Sequence, residues 1–512
     1  MIVLIVILFL VAFYFYSIRN HDYWEKRNVK YDPPVPLFGN HIPNQFGKKS
    51  ITAISVDLYK RYPGEKVVGY FRGTVPELLI RDLDLIKQIM TVDFPYFYKR
   101  GGGRDPDLEP IFANLFHAEG DSWKLLRQRL TPAFTTAKLR AMFPLVVRCA
   151  ERLQDVVTEL ASRGATYDAR ELMARFTTEF IGACGFGIEM DTINNDRSSF
   201  RDLGKTIFNR SLRNRLLLPI WELFPEIRKY LKVEGDAIEN ELTVIVEQIR
   251  KSRNYQPIGR HDFIDLLLEL EKKGKIVGES IEKVHKDGTA ETVEMEMDLK
   301  CQMAQVFIFF AAGFETSSSA TSFTLHILAY NQKTQRRIQE EIDTVMKKYD
   351  NKLSYDAIAE MNLLDMAFKE AMRMFPSLGV LNRICTRKYD IPELGFSIDP
   401  GVKILIPVQA IHMDEKYYDN PTEFRPERFT PEAIKERPSF AYLPFGEGPR
   451  VCIGARLGQM QSLAGLAALL HKFSIEPADN SHLELNLNPW SNVVQSVAGG
   501  LPLNFKPRTP TA

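Results

Sequence analysis

Phe445-Gly446-Glu447-Gly448-Pro449-Arg450-Val451-Cys452-Ile453-Gly454 sets a cysteine in a turn broken by glycine and proline. The turn runs straight into Ala455-Arg456-Leu457-Gly458-Gln459-Met460, a stretch of helical character. At a helix N-terminus, unpaired N–H groups and the positive end of the dipole favour a thiolate over a thiol. Gly446, Gly448 and Gly454 let the backbone approach closely. A thiolate so placed is a metal ligand or a nucleophile. Without that setting, a free cysteine usually packs inertly in the core.

The 512 residues, 45% hydrophobic and 11% aromatic, suffice for a large buried core. No Ser/Gly-rich linker or internal repeat interrupts residues 51–505, so one large unit is expected rather than a string of modules. A formal net charge of +1 argues against a general polyanion binder, and no nucleic-acid partner is expected. Cys149, Cys184, Cys301, Cys385 and Cys452 are odd in number and lack close Cys-x-x-Cys spacing. They point to a reducing compartment and away from zinc sites or a disulfide framework.

Residues 1–18 carry no charge, Pro or Gly and are expected to form a transmembrane signal anchor. A cleaved signal peptide is the alternative, but a basic start and a small-x-small cleavage site are both missing. Arg19, Lys26, Arg27 and Lys30 follow, which by the positive-inside rule puts the remainder in the cytosol. Asp32-Pro33-Pro34-Val35-Pro36 reads as a stiff connector, so residues 19–50 are expected as a basic, Pro-rich hinge and 51–512 as the catalytic domain. Lys66 to Phe71 and Glu77 to Ile80 predict a small hairpin sheet, which Lys403 to Val408 could complete. Glu269 to Lys300, charged and glycine-bearing, predicts mainly exposed loop, and most of the rest reads helical. Around 205–230, Leu216-Leu217-Leu218-Pro219-Ile220-Trp221 and Phe224 are bracketed by Arg213, Arg215, Arg228 and Lys229. That suits a membrane interface, and a buried helix pair with a Pro turn fits the pattern equally.

Three further stretches carry chemistry. Trp123 and Arg127 lie one helical turn apart and could hold one carboxylate together or form a cation–π pair. Nearby Lys124, Arg129 and Lys138 form a solvated basic face or a docking patch. In Met303 to Ser317 an apolar helix turns small at Ala312 and Gly313, then acid and hydroxyl at Glu315 and Thr316. Thr316 can return its hydroxyl to the Ala312 carbonyl and open a groove. Glu370 and Arg373 share a helix face, but Glu247 and Arg250 have the same spacing, so spacing alone decides nothing.

The pattern Phe-x-x-Gly-x-Arg-x-Cys-x-Gly resembles the haem-binding loop of the cytochrome P-450 superfamily. The resemblance implies a mainly α fold with a small β subdomain and an N-terminal anchor. It implies haem b (iron protoporphyrin IX), with Cys452 as its iron ligand, Phe445 beside it, and Trp123, Arg127, Arg383 and Arg450 towards the propionates. Ala312 to Thr316 resembles the family's Ala-Gly-x-Glu-Thr segment, in which Thr316 and Glu315 would deliver protons to the reacting oxygen. Glu370 and Arg373 would join Arg428, from Phe424-Arg425-Pro426-Glu427-Arg428-Phe429, in a buried structural network. Phe116, Phe309, Val380 and Leu381 are substrate-side candidates whose other reading is ordinary core.

Ala410-Ile411-His412-Met413-Asp414 and Pro426-Glu427-Arg428-Phe429 resemble insect members of the microsomal class. The activity implied is monooxygenation of lipophilic small molecules, xenobiotics such as plant toxins or insecticides foremost. Electrons would come from NADPH through a flavoprotein reductase, with cytochrome b5 a possible further donor. The enzyme would sit on the endoplasmic reticulum membrane with its catalytic domain on the cytosolic face. A haem-thiolate isomerase or dehydratase, and a non-catalytic carrier of apolar ligands, are the alternatives.

Overall fold

The computed structural model describes residues 1–510 except 103–104, 189, 191, 194–203, 205–211, 225–229, 231, 233–235, 261 and 492. The apolar start forms α1 (Ile2–Ile18), with only Ser17 buried. Its 17 residues reach about 25 Å, short of the ~27 Å hydrocarbon layer of an endoplasmic reticulum bilayer. Among the described residues no helix is long and apolar enough to cross a membrane, so the expected spanning anchor is not found as such. The end of α1 leans on the globule, where the Tyr16 and Phe224 rings stack at 5.4 Å.

Residues 19–50, expected as an extended hinge, fold onto a sheet instead. Trp24 is fully buried and donates its indole N–H to the Tyr70 carbonyl at 3.2 Å. Tyr31 bridges to Gly69 and Gly39 to Arg72. That sheet joins β1 (Val67–Arg72), β2 (Val75–Ile80), β6 (Leu381–Ile384) and β9 (Lys403–Ile406) in the order β1-β2-β9-β6. The β1–β2 hairpin and the late strand β9, parallel to β2, are as the sequence predicts. Gly73 turns the hairpin with φ +57°, where a Cβ would collide with the Glu222 carbonyl.

Residues 269–300 are not mainly loop. After the end of helix α6 (Phe263–Lys272) they form a hairpin of β4 (Lys275–Val284) and β5 (Ala290–Glu296), with Ile276 opposite Met295 and Gly278 opposite Val293. Dense charge hides its period-two alternation, in which Ile276 and Ser280 are buried. The remaining pairs are β7 (Tyr389–Ile391) with β8 (Phe396–Ile398), and β10 (Phe473–Pro477) with β11 (Pro502–Pro507), which also takes β3 (Tyr167–Asp168).

The larger body is helical. Its axis is the 32-residue α7 (Leu299–Tyr330), which Asp298 caps by accepting from the Cys301 N–H at 2.8 Å. Around α7 pack α4 (Ala169–Ile181), α8 (Asn362–Met374) and α9 (Ala455–Lys472), and α9 also packs on α3 (Thr136–Ser162). The apolar stripes of these helices make one core, and the four-stranded sheet has a second. Helix α2 (Gly120–Leu130) lies under β4. In the 205–230 segment, α5 (Leu212–Leu223) runs unbroken through Pro219, exposing Leu216 and Ile220 while burying Trp221. Arg228 and Lys229 lie outside the described residues.

Candidate functional site

The cysteine loop is built by two left-handed glycines, Gly446 (φ +71°) and Gly448 (φ +74°). A Cβ on Gly448 would collide with the Met90 carbonyl oxygen, so no other residue fits there without moving backbone. The turn closes as the Cys452 N–H donates to the Phe445 carbonyl at 2.9 Å and the Val451 N–H to Gly448 at 2.9 Å. Cys452 then sits just ahead of α9, whose N-cap is Gly454. Gly454 has no left-handed φ, and a Cβ there would meet only Phe134, at 3.9 Å. Cys452 is exposed, but into a space walled by protein: burial pushes its thiol up, opposed by the Gly454 N–H and by Arg100 and Arg127.

Four arginines converge near it with too few anions. Burial lowers Arg100 to about 10, opposed by Cys452. Burial and then Arg100 lower Arg383 to about 9. Burial, Arg100 and Arg383 lower Arg450 to about 8. Burial lowers Arg127 as well, opposed by Cys452. Carbonyl oxygens accept hydrogen bonds from some of their N–H groups: Arg127 donates to Val451 at 2.9 Å, Arg100 to Arg450 at 3.0 Å, and Arg450 to Tyr98 at 3.0 Å and Ala118 at 2.8 Å. Arg383 Nε and Arg450 Nη1 are buried and find no partner among the described residues.

Trp123 is buried at the same place, but its cation–π partner is Arg450, whose guanidinium lies 4.3 Å from the ring centroid. Arg127 instead reaches the cysteine loop. Arg100 was not singled out from the sequence. Its signal is an arginine just before Gly101, whose φ of +76° turns the chain at this wall.

The opposite wall is one face of α7. Ile308, Phe309, Ala312 and Thr316 remain accessible on a helix otherwise mostly buried, whereas the space expected beside Gly313 is filled by Ile181 of α4, into which a Cβ would run. Thr316 donates its hydroxyl to the Ala312 carbonyl at 2.7 Å, as its spacing predicts. Glu315 is buried and paired with Arg170 of α4. The two walls meet through Phe134, which faces Gly454 and stacks on Phe309 at 5.4 Å. Phe309 also packs on Phe263 at 3.6 Å, so part of its surface is core. Leu381 lies 3.6 Å from a Cβ built on Gly446, next to Val380, and both are partly accessible. Phe116 carries the Arg100 guanidinium 4.3 Å from its ring centroid.

Behind the loop, Glu370 and Arg373 are fully buried and joined by two hydrogen bonds, at 2.7 and 2.9 Å. Arg428 donates to the same carboxylate at 3.3 Å and pairs with Asp419 at 2.7 Å. Arg373 also donates to the carbonyls of His412 at 2.7 Å and Pro421 at 2.8 Å. The His412 ring accepts from the Leu443 N–H at 2.8 Å, two residues before Phe445, so its other nitrogen donates to the Arg373 carbonyl at 3.2 Å. Burial, then Arg373, holds His412 down at about 3, keeping it neutral. The network thus steers the approach to the cysteine loop. His412 was quoted from the sequence as a motif residue, without this role.

The basic face of α2 is not bare. Arg129 donates to the Val277 carbonyl at 2.9 Å, and Lys124 lies 3.8 Å from Glu279, both on β4.

These residues fit haem. A cysteine at a helix entry could ligate the iron, buried arginines with unused N–H groups suit two propionates, and the accessible Ala312 and Thr316 leave space along α7. A family model described as Cytochrome P450 matches residues 29–501. Cytochrome P450 6a2 of Drosophila melanogaster is 37% identical, with 97% of each chain covered. Cytochrome P450 6B2 and 6B7 of Helicoverpa armigera are each 36% identical over 98% of this chain and 97% of their own. The chain therefore belongs to the cytochrome P450 family, haem-thiolate monooxygenases that use NADPH-derived electrons through a reductase and act on small molecules.

Proposed function

We propose that this chain oxidises lipophilic xenobiotics, plant toxins and insecticides among them, at the endoplasmic reticulum membrane. The observation that carries this reading is the accessible, largely apolar face of α7, joined to the cysteine loop through Phe134. Ile308, Phe309, Val380, Leu381 and Phe116 offer a substrate no charge of their own, so binding rests on burial of apolar surface. Haem bound at Cys452 supplies oxygen activation and oxygen insertion. The chain's residues would do the rest: Cys452 would ligate the iron, Arg383, Arg450, Arg127 and Arg100 would hold the propionates, and Thr316 with Glu315 would move protons at the α7 face. Glu370, Arg373 and Arg428 keep the loop in shape.

Exposed apolar side chains on α1, with Leu216 and Ile220 of α5, favour a membrane-seated enzyme. A bilayer absorbs a shortfall of a few Å at modest cost. Arg19, Lys26, Arg27 and Lys30 after α1 favour a cytosolic catalytic body. Cytochrome b5 is proposed as a second electron donor beside the reductase. The test is the haem-loaded enzyme with reductase and NADPH against a panel of plant toxins and insecticides, with fatty acids and sterols for contrast. NADPH-dependent products one oxygen heavier, concentrated among the toxins, are expected. Turnover of the fatty acids or sterols alone would contradict the substrate class.

A further inference from the structure

We propose that Arg170 is a positioning residue for Glu315, aiming its ionised carboxylate for the proton delivery assigned to Glu315 and Thr316 above. The inference rests on that assignment and adds a residue the sequence motifs do not contain.

Glu315 and Thr316 are neighbours on α7 but point differently. Thr316 stays partly accessible at the cavity face, whereas Glu315 is turned inward and only 7% exposed. An ionised carboxylate so buried needs a fixed cation. Arg170 Nη2 meets Glu315 Oε1, and its Nη1 donates to the Gln495 carbonyl at 3.3 Å.

The fold holds Arg170 tightly in place. It lies on the first turn of α4, where its N–H donates to Asp168 Oδ1 at 3.0 Å. The same oxygen accepts from Leu501 N–H at 2.8 Å, and Asp168 pairs with Pro502 of β11. Gln495 is fixed in turn: its N–H donates to the Ser377 carbonyl at 2.8 Å and its side-chain amide to the Pro376 carbonyl at 2.8 Å. Ser377 then donates its hydroxyl to the Thr316 carbonyl at 3.0 Å. A closed ring of contacts therefore runs from Glu315 through Arg170, Gln495 and Ser377 back to Thr316, gripping the acid–alcohol pair from both sides.

In the delivery step the Glu315 carboxylate would take a proton from a solvent hydronium, which leaves as water, and pass it to the Thr316 hydroxyl, whose own proton would move on into the cavity. The carboxylate is regenerated and one proton has moved. Without Arg170, buried Glu315 would keep a proton and stop cycling.

The test uses full-length haem-loaded enzyme as wild type, Arg170→Gln, Arg170→Lys, Glu315→Gln and the double glutamine variant. Infrared spectra at neutral pH are read for a protonated-carboxyl band. Arg170→Gln should gain a band that is absent from the wild type and from the double variant, and Arg170→Lys should show little of it. No such band in Arg170→Gln overturns the inference. With reductase, NADPH and an alkoxycoumarin as probe, Glu315→Gln should lower product formed per NADPH by about tenfold or more. Arg170→Gln should fall alongside it, and Arg170→Lys should recover most of the loss. If Glu315→Gln lowers the ratio and Arg170→Gln does not, the positioning role fails alone. If Glu315→Gln leaves the ratio unchanged, the proton-delivery reading beneath it fails. Should Arg170→Gln not accumulate, the double variant, which strands no charge, carries the test. It should match Glu315→Gln, and a further drop would contradict action through Glu315.

Discussion

Arg383 shows how the site stores its demand for an anion. It is 2% exposed, its Nε has no partner among the described residues, and Arg100 repels it. Replacing it by glutamine removes a like charge from the haem-free protein and, on the proposed haem-binding role, a propionate partner from the loaded one. Arg383→Gln should therefore raise the melting temperature of haem-free protein and speed haem loss from the holoenzyme about tenfold or more, for a charge-assisted hydrogen bond of about 1.5–3 kcal/mol. Thermal unfolding and haem transfer to apomyoglobin would show the opposite signs. A fall in both stabilities would mean that Arg383 is simply structural. Glu370 is the reverse case, an anion that two arginines cannot spare. Glu370→Ala should cost about 3–5 kcal/mol and leave little haem-loaded protein, while normal loading would refute the network's role.

Among the elements, the cysteine loop depends on backbone shape. Gly448→Ala meets both a left-handed φ and the Met90 carbonyl, so it should abolish haem loading with Cys452 intact, as absorbance of purified protein would reveal. His412 gives the same loop a pH dependence. Its value falls from 6.5 to about 3 on folding, so the unfolded chain binds the extra proton between those limits. Its stabilisation is complete above pH ~6.5 and lost as pH falls towards ~3, at up to about 1.4 kcal/mol per unit. His412→Gln should flatten the acid limb of a denaturation series, and an unchanged slope would exclude His412 as its source. The cysteine turn and the Ala312–Thr316 run were legible because each is a short run whose local geometry carries the chemistry, whereas the Glu370–Arg373 spacing was not, since Glu247 and Arg250 share it and also pair. The β4–β5 hairpin was not, because its charges mask the alternation. Arg100 and Arg170 were not, because their partners are distant in sequence and only the fold unites them.

At the scale of the whole molecule, the sequence divided the chain too sharply near its start. The prolines of 32–36 suggested a stiff connector, and buried Trp24 with the Tyr31 and Gly39 bridges packs this stretch against the sheet. Helix α1 is different, since nearly all its side chains are exposed. Deleting residues 2–18 should leave the haem spectrum and melting temperature nearly unchanged and move much of the protein from the membrane to the soluble fraction. Truncation past Trp24 should unfold the sheet. The haem site turns on Cys452 ligating the iron, which the carbon-monoxide difference spectrum of the reduced protein reads directly beside a Cys452→Ser control. The strongly red-shifted Soret band of a thiolate ligand, present in the wild type and lost in the variant, is the predicted result. A haem-loaded wild type without that band, or a variant that keeps it, would contradict the assignment.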